Sequence, residues 1–422
     1  MEEKKDNRSK LVKFISVLGP GLVTGASDDD PSGIATYSQA GAQFGMATLW
    51  TALITFPLMA SIQEMCARIG IVTSQGLTTT IRNRYPRPVL YLMILFTFPA
   101  VVLNIGADIA GMGAVANLIF PSVQAIFFTV AFTLILMVLI IYLPYQKMAS
   151  FLKYLCLFLL LYLVVPFLTK QNWGAIAKHT FIPTIHFNKA FVGILVAILG
   201  TTISPYLFFW QATMEAEDVQ HQKQKLVVNK RVIQKMDLDV DFGMLFSNIV
   251  MFFIILTAGT VLYNAGIHQI DTVEQAAKAL EPIAGKLAYV LFAVGVIGTG
   301  FLAIPVLSGS LSYILSDTFG WDGSLDKKYY EAKPFYWVII ISLLVGLGIN
   351  YLGINPIQAL IYTAILYGVT SPVMIAIILH ISNNKKIMGE FTNGRWSNIF
   401  GFITLVLMTV AVCALLYLQF AG

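Results

Sequence analysis

Charge is what this chain has least of. Only 12% of its 422 residues are Asp, Glu, Lys or Arg, against 57% hydrophobic, too few charges to cover a soluble domain of this size. Histidine is scarce, at five, and the three cysteines, Cys66, Cys156 and Cys413, sit at unrelated spacings in apolar stretches. That excludes a disulfide framework and a Cys/His zinc site, and the thiols read as buried structural groups. No small-residue cleavage site follows a short apolar run near Met1, so no signal peptide is expected. A separate soluble domain is missing too. The longest polar segment, Glu215 to Asp241, mixes both signs of charge and reads as a solvated amphipathic loop; Lys170 to Lys189, with Trp173 and Phe181, reads as a packed loop.

What is present is apolar runs of 18 residues or more, one after another, the mark of a polytopic membrane protein. Eleven spans are expected. They fall at about 13–40, 46–69, 88–117, 123–144, 150–169, 189–214, 242–264, 284–313, 334–353, 356–381 and 397–420. With the N-terminus inside, 22 of the 27 Lys and Arg residues lie in inner segments, leaving Lys170, Lys178, Lys189, Lys278 and Lys286 outside. The positive-inside rule therefore places the N-terminus in the cytoplasm and, with an odd span count, the C-terminus outside. The net charge of +5 follows from these one-sided loops and needs no nucleic-acid partner.

Two spans are interrupted. In the first, Gly25-Ala-Ser-Asp28-Asp29-Asp30-Pro31-Ser32-Gly33 sets three consecutive carboxylates between apolar runs. Even one Asp at the centre of a spanning helix costs roughly 2.5–3.5 kcal/mol on insertion scales. Pro31 removes a backbone donor, and Gly25 and Gly33 permit unwinding, so the stretch reads as a broken helix gathering hard oxygen ligands at mid-membrane depth. The bland alternative is a helix end with a solvated acidic cap. In an unwound segment alternate residues share a side, so Asp28 and Asp30 are expected to face one ion while Asp29 points elsewhere. Like charges this close repel, and a bound cation or a shared proton is needed to hold them.

The second interruption, Gly200-Thr201-Thr202-Ile203-Ser204-Pro205-Tyr206 in span six, offers hydroxyls and freed carbonyls. Alone it is as well explained by a proline kink with small packing residues. Breaks in spans one and six together are the pattern of two inverted five-span repeats with the substrate between the breaks. The first repeat would cover about 13–169 and the second about 189–381, leaving 397–420 as an extra helix. Asp108, the lone acid in mid-span three, is a candidate proton carrier or outer ligand, with a helix-pairing role as the alternative. Glu64 and Arg68 stand at i and i+4 and read as an intrahelical ion pair. Tyr367, Thr370 and Ser371 before Pro372 read as hydrogen-bonded packing.

At these residues the chain resembles the Nramp (natural resistance-associated macrophage protein) divalent-metal transporters. Four patches carry the resemblance: Gly19-Pro20-Gly21 followed by Asp30-Pro31, where the family has Asp-Pro-Gly-Asn; Ala67 to Thr73; Tyr85 to Pro88; and Ala197 to Tyr206. The resemblance implies an all-α membrane protein with the LeuT fold of bacterial sodium/amino-acid symporters. It also implies inward carriage of Mn²⁺ or Fe²⁺, usually with protons. It puts the metal-binding Asp on Asp30. The family's Asn ligand falls on Gly33, its span-six Met on Ser204, the His two residues later on Tyr206, the span-three Glu on Asp108, and an Asp three residues before that on Ile105.

Losing a thioether removes a preference for soft metals, since carboxylate, hydroxyl, carbonyl and water suit Mg²⁺, Ca²⁺ and Mn²⁺. The pattern therefore looks like the Nramp-related magnesium transporters, whose uptake is uncoupled. The resulting expectation is a secondary transporter, not an enzyme, importing hydrated Mg²⁺ and Mn²⁺ across a bacterial-type plasma membrane. Asp30 is its principal ligand, Asp28, Asp29, Gly33, Thr201 and Ser204 line the ion, and Asp108 and Tyr206 serve the proton route or an outer shell. No cofactor and no obligate protein partner are expected beyond the cation and the bilayer. The rivals are a proton-coupled Mn²⁺/Fe²⁺ importer on the same fold, and an organic-solute transporter or intramembrane aspartyl hydrolase.

Overall fold

The computed structural model describes residues 20–143, 147, 157–221 and 228–420, and among them it holds helices and no strand. The starts of spans one and five, Gly19, Cys156 and the basic residues Lys4, Lys5, Arg8, Lys10, Lys13, Lys153, Lys223 and Lys225 lie outside the described residues. The expected first span is two helices, α1 (Pro20–Asp28) and α2 (Pro31–Phe44). There follow α3 (Trp50–Thr73), α4 (Arg87–Ile119), α5 (Ala125–Tyr142) and α6 (Leu161–Leu168). The second half comprises α7 (Lys189–Thr202), α8 (Pro205–His221), α9 (Lys230–Val261), α10 (Ala288–Phe319), α11 (Lys333–Ile349), α12 (Pro356–Ser382) and α13 (Arg395–Phe420).

Eight helical segments among the described residues are long and apolar enough to cross a membrane, with Lys189–Gln220 taken as one. Expected spans one, two and five are not among them. Span one is in two short pieces, α3 carries Gln63, Glu64 and Arg68, and span five is described only from Leu157.

Two segments expected as loops hold helices. Across Glu215 to Asp241, α8 continues to His221 and α9 starts at Lys230, with the Asn229 side chain accepting from the N–H groups of Arg231 and Val232. Ile233, Met236 and Val240 recur at helical spacing and are buried, which is what turns a charged segment into an amphipathic helix. Between Lys170 and Lys189 a short helix, Trp173–Phe181, is capped by Asn172. Cys66 is buried as expected, but Cys413 on α13 is exposed on the bundle's outer surface.

The packing is reciprocal between the halves. The next long helix beyond α2, α3, packs along α8, while the next beyond α8, α9, packs along α1 and α2. The α4 and α10 helices pack on each other, and α12 lies against α7, α4 and α2. The α1–α9 contact is so close that a Cβ on Gly25 would sit 2.2 Å from the Gly243 carbonyl oxygen. At one end of the bundle Arg68 meets Glu64 at 3.8 Å, as the i, i+4 spacing requires, and also Asp237 of α9 at 3.6 Å. A helical pair read from sequence is thus a three-way junction.

Candidate metal site

Pro31 at the first turn of α2 needs no donor, and Asp30 ahead of it takes an extended conformation (φ −69°, ψ 173°) as the helix cap. Its Oδ1 accepts from the Gly33 N–H at 2.7 Å. Its Oδ2 accepts from Asn104 Nδ2 of α4 at 3.0 Å, and the same nitrogen lies 3.2 Å from Asp108 Oδ2. The Ser32 N–H also donates towards both carboxylates. The break therefore brings Asp30 and Asp108 together through one carboxamide.

Asp28 and Asp29 turn the other way. The Ser247 hydroxyl of α9 lies 2.8 Å from Asp28 Oδ2 and 3.3 Å from Asp29 Oδ1. The expectation that Asp28 pairs with Asp30 while Asp29 stands apart is corrected here. Alternation requires an extended backbone throughout, but Asp28 is still the last residue of α1 while Asp30 is extended. All three carboxylates are buried, at 0%, 1% and 2% exposed, so none has solvent in place of a partner. Asp28 Oδ1, Asp29 Oδ2, Asp108 Oδ1 and Asn104 Oδ1 have no hydrogen-bond partner among the described residues. Leaving buried acceptors unmatched costs about 1–3 kcal/mol each, more when charged, and a cation among them removes that cost.

The second break lies beside the first. Thr201, at the end of α7, places Oγ1 3.4 Å from the position a Gly33 Cβ would take. Ser204, in the break, turns its hydroxyl back onto the end of α7, donating to Gly200 and Thr201 carbonyls at 3.0 and 2.7 Å. Tyr206 donates to the Ser27 carbonyl at 3.1 Å, and Ser371 of α12 donates to the Ile203 carbonyl at 2.9 Å. Carbonyls freed by unwinding are thus matched by side chains, as an interior without water demands. Among the described residues no side chain of α7 or α8 hydrogen-bonds Asp28, Asp29 or Asp30; their partners come from α2, α4 and α9.

Sequence reasoning missed Ser247, one serine in an apolar helix with nothing to single it out. It also passed over Asn104, although an amide one turn before a mid-span acid is a legible signal. Nowhere among the described residues do three or more His, Cys, Asp or Glu side chains converge in a way that could hold a metal ion. Any cation here takes fewer than three such ligands, supplemented by hydroxyl, carboxamide, carbonyl or water oxygens.

The chain is 25% identical over 419 residues, 98% of its length and 95% of the relative's, to a divalent metal cation transporter, MntH, of Caldanaerobacter subterraneus subsp. tengcongensis. A manganese transporter of Eremococcus coleocola shares its fold, with TM-score 0.76 at 18% identity, covering 99% of this chain and 88% of that one. The structure of MhsT in complex with L-phenylalanine matches with TM-score 0.63 at 11% identity, covering 94% of this chain and 98% of that one. The family profile for natural resistance-associated macrophage protein-like proteins matches residues 21–418. The broken helices, their reciprocal packing and that match are one result: the chain is a membrane transporter belonging to the Nramp family, built on the LeuT fold.

Proposed function

We propose that this transporter imports divalent metal cations, Mn²⁺ foremost, with the N-terminus cytoplasmic and the C-terminus outside a bacterial-type plasma membrane. The carrying observation is the helix break at Asp29 and Asp30, where buried carboxylates keep unmatched oxygens beside hydroxyl and carboxamide neighbours. The relatives support Mn²⁺, being described as transporters of divalent metal cations or of manganese. Mg²⁺ as the principal cargo, the expectation from Ser204, has no support among them.

Asp30 is the principal ligand in this reading, and Asp28, Asp29, Thr201 and Ser204 hold the ion's waters. Gly33 contributes its N–H to orienting Asp30 and offers no side-chain oxygen. Asp108, fully buried and joined to Asp30 through Asn104, is the residue through which a proton gradient would act, and Tyr206 positions the first break from the second. The two halves rock about the breaks so that the cation meets one face of the membrane at a time.

The test is uptake into proteoliposomes of Mn²⁺ and Mg²⁺, each with and without an imposed proton gradient. Mn²⁺ uptake that acidifies the lumen is the expected result; uptake of neither cation overturns the reading. One observation favours Mg²⁺ as a second cargo: the span-six position is a serine whose hydroxyl is already bound to two carbonyls, so it presents oxygen rather than sulfur. The Met251 sulfur of α9 accepts from Thr55 and Thr202 hydroxyls at 3.9 and 3.8 Å. Ser204→Met is therefore expected to raise Mn²⁺ over Mg²⁺ transport about tenfold, given the softness of a thioether. Competition between the two ions measures it, and an unchanged ratio removes the sulfur argument.

A further inference from the structure

Asn104 holds an arrangement suited to two states. Its single Nδ2 donates to a carboxylate on the first break and to another on its own helix, at 3.0 and 3.2 Å, while its Oδ1 is buried with no partner among the described residues. The amide nitrogen thus sits where a cation between Asp30 and Asp108 would be attracted, and its two N–H groups stand in for that positive charge.

Resting on the transport reading above, we infer that Asn104 is itself a cation ligand, which exchanges its donor nitrogen for its acceptor oxygen when the metal enters. The terminal torsion of Asn is broad and roughly two-fold, so turning the carboxamide over costs little in the side chain itself. Without a cation the turned amide sets a carbonyl oxygen against two carboxylates, and repulsion returns it. With a divalent ion between them, Asp30 Oδ2, Asp108 Oδ2 and Asn104 Oδ1 become three hard donors, and the orphaned oxygen is matched. Gly33, in the turn that Asp30 caps, has no side-chain oxygen to offer. The donor set is oxygen only, the kind that takes Mn²⁺, Mg²⁺ or Ca²⁺ and completes its shell with water.

The inference places the cation towards α4 and gives Asp108 a direct role beside Asp30. It also makes the empty site self-compensating: the amide pins the two carboxylates until metal replaces it, so binding and release move the same side chain.

The experiment is Mn²⁺ binding to the full-length protein in lipid nanodiscs, by calorimetry and by thermal melting. Asn104→Leu is expected to weaken binding at least about tenfold, the lower bound for losing a group that supports a metal site. Asn104→Asp, which keeps an oxygen and loses the donor, is expected to bind at least as tightly as wild type and to gain more in Tm from Mn²⁺. If Asn104→Leu does not fold, Asn104→Asp carries the comparison. Mn²⁺ bound to protein labelled with carboxamide-¹³C asparagine is expected to show a ¹³C hyperfine coupling that Asn104→Asp loses. Asn104→Asp binding as weakly as Asn104→Leu, wild-type affinity in Asn104→Leu, or no such coupling overturns the ligand assignment while Asp30-dependent binding keeps the transport reading. Absence of Mn²⁺ binding to wild type removes both.

Discussion

Asp30→Ala is expected to abolish Mn²⁺ uptake in proteoliposomes, a fall of more than about 100-fold, beyond the 10–100-fold typical of residues that only support a metal ligand. Two properties of Asp30 have to be separated. It caps α2 through the Gly33 N–H, and removing such a cap costs about 1 kcal/mol, enough to loosen the break without any loss of chemistry. Asn caps a helix as well as Asp does, so Asp30→Asn keeps the cap and removes the charge. The two variants should lose transport alike while only Asp30→Ala loses stability. Wild-type uptake in Asp30→Asn, with normal protein recovery, would show that the charge at this position does not hold the cargo.

The break itself was legible because its cause is local. Three acids and a proline inside an apolar run conflict with a continuous spanning helix, and the conflict is visible without any tertiary information. The same holds for the Gly200 to Pro205 kink and for Glu64 with Arg68. What the sequence could not carry is direction. Asp28 and Asp29 face α9 and Asp30 faces α4 because the helix ends between Asp28 and Asp30, and that end point depends on packing against Gly243 and on the Asp30 cap. Ser247 was invisible for the same reason, since its importance lies wholly in which helix lies opposite. The helical stretches in Glu215 to Asp241 were misread because charge density was weighed above the buried spacing of Ile233, Met236 and Val240. Metal choice stood at one further remove. Ser204 in place of a thioether argues for hard cations in general, and Mn²⁺ accepts oxygen ligands as readily as Mg²⁺ does, so one lost sulfur could not single out magnesium.

Gly200→Ala should be the most damaging substitution to stability among small changes on α7. A Cβ built there stands 2.0 Å from the Ala364 carbonyl oxygen and 2.3 Å from the Gly368 N, both backbone atoms of α12, so no side-chain rotation can relieve the overlap. The helices must part instead. Overpacking typically costs 1–3 kcal/mol, and a backbone-to-backbone clash belongs at or above the top of that range, about 3 kcal/mol. The consequence reaches the site, because the residue after Gly200 is Thr201, which α7 sets beside Gly33 across the two breaks. Gly193, two turns earlier on the same helix, supplies the control. Its nearest neighbour to a new Cβ is Leu415 Cδ1 at 3.9 Å, an ordinary contact. Gly193→Ala therefore meets no obstacle and removes the entropic cost of glycine in a helix, a gain of about 0.5–1 kcal/mol. Melting curves of the two purified variants should move in opposite directions from wild type, Gly200→Ala down and Gly193→Ala up. If Gly200→Ala melts with wild type, the α7–α12 contact is looser than a 2.0 Å Cβ approach implies, and the spacing that brings Thr201 to the first break goes with it.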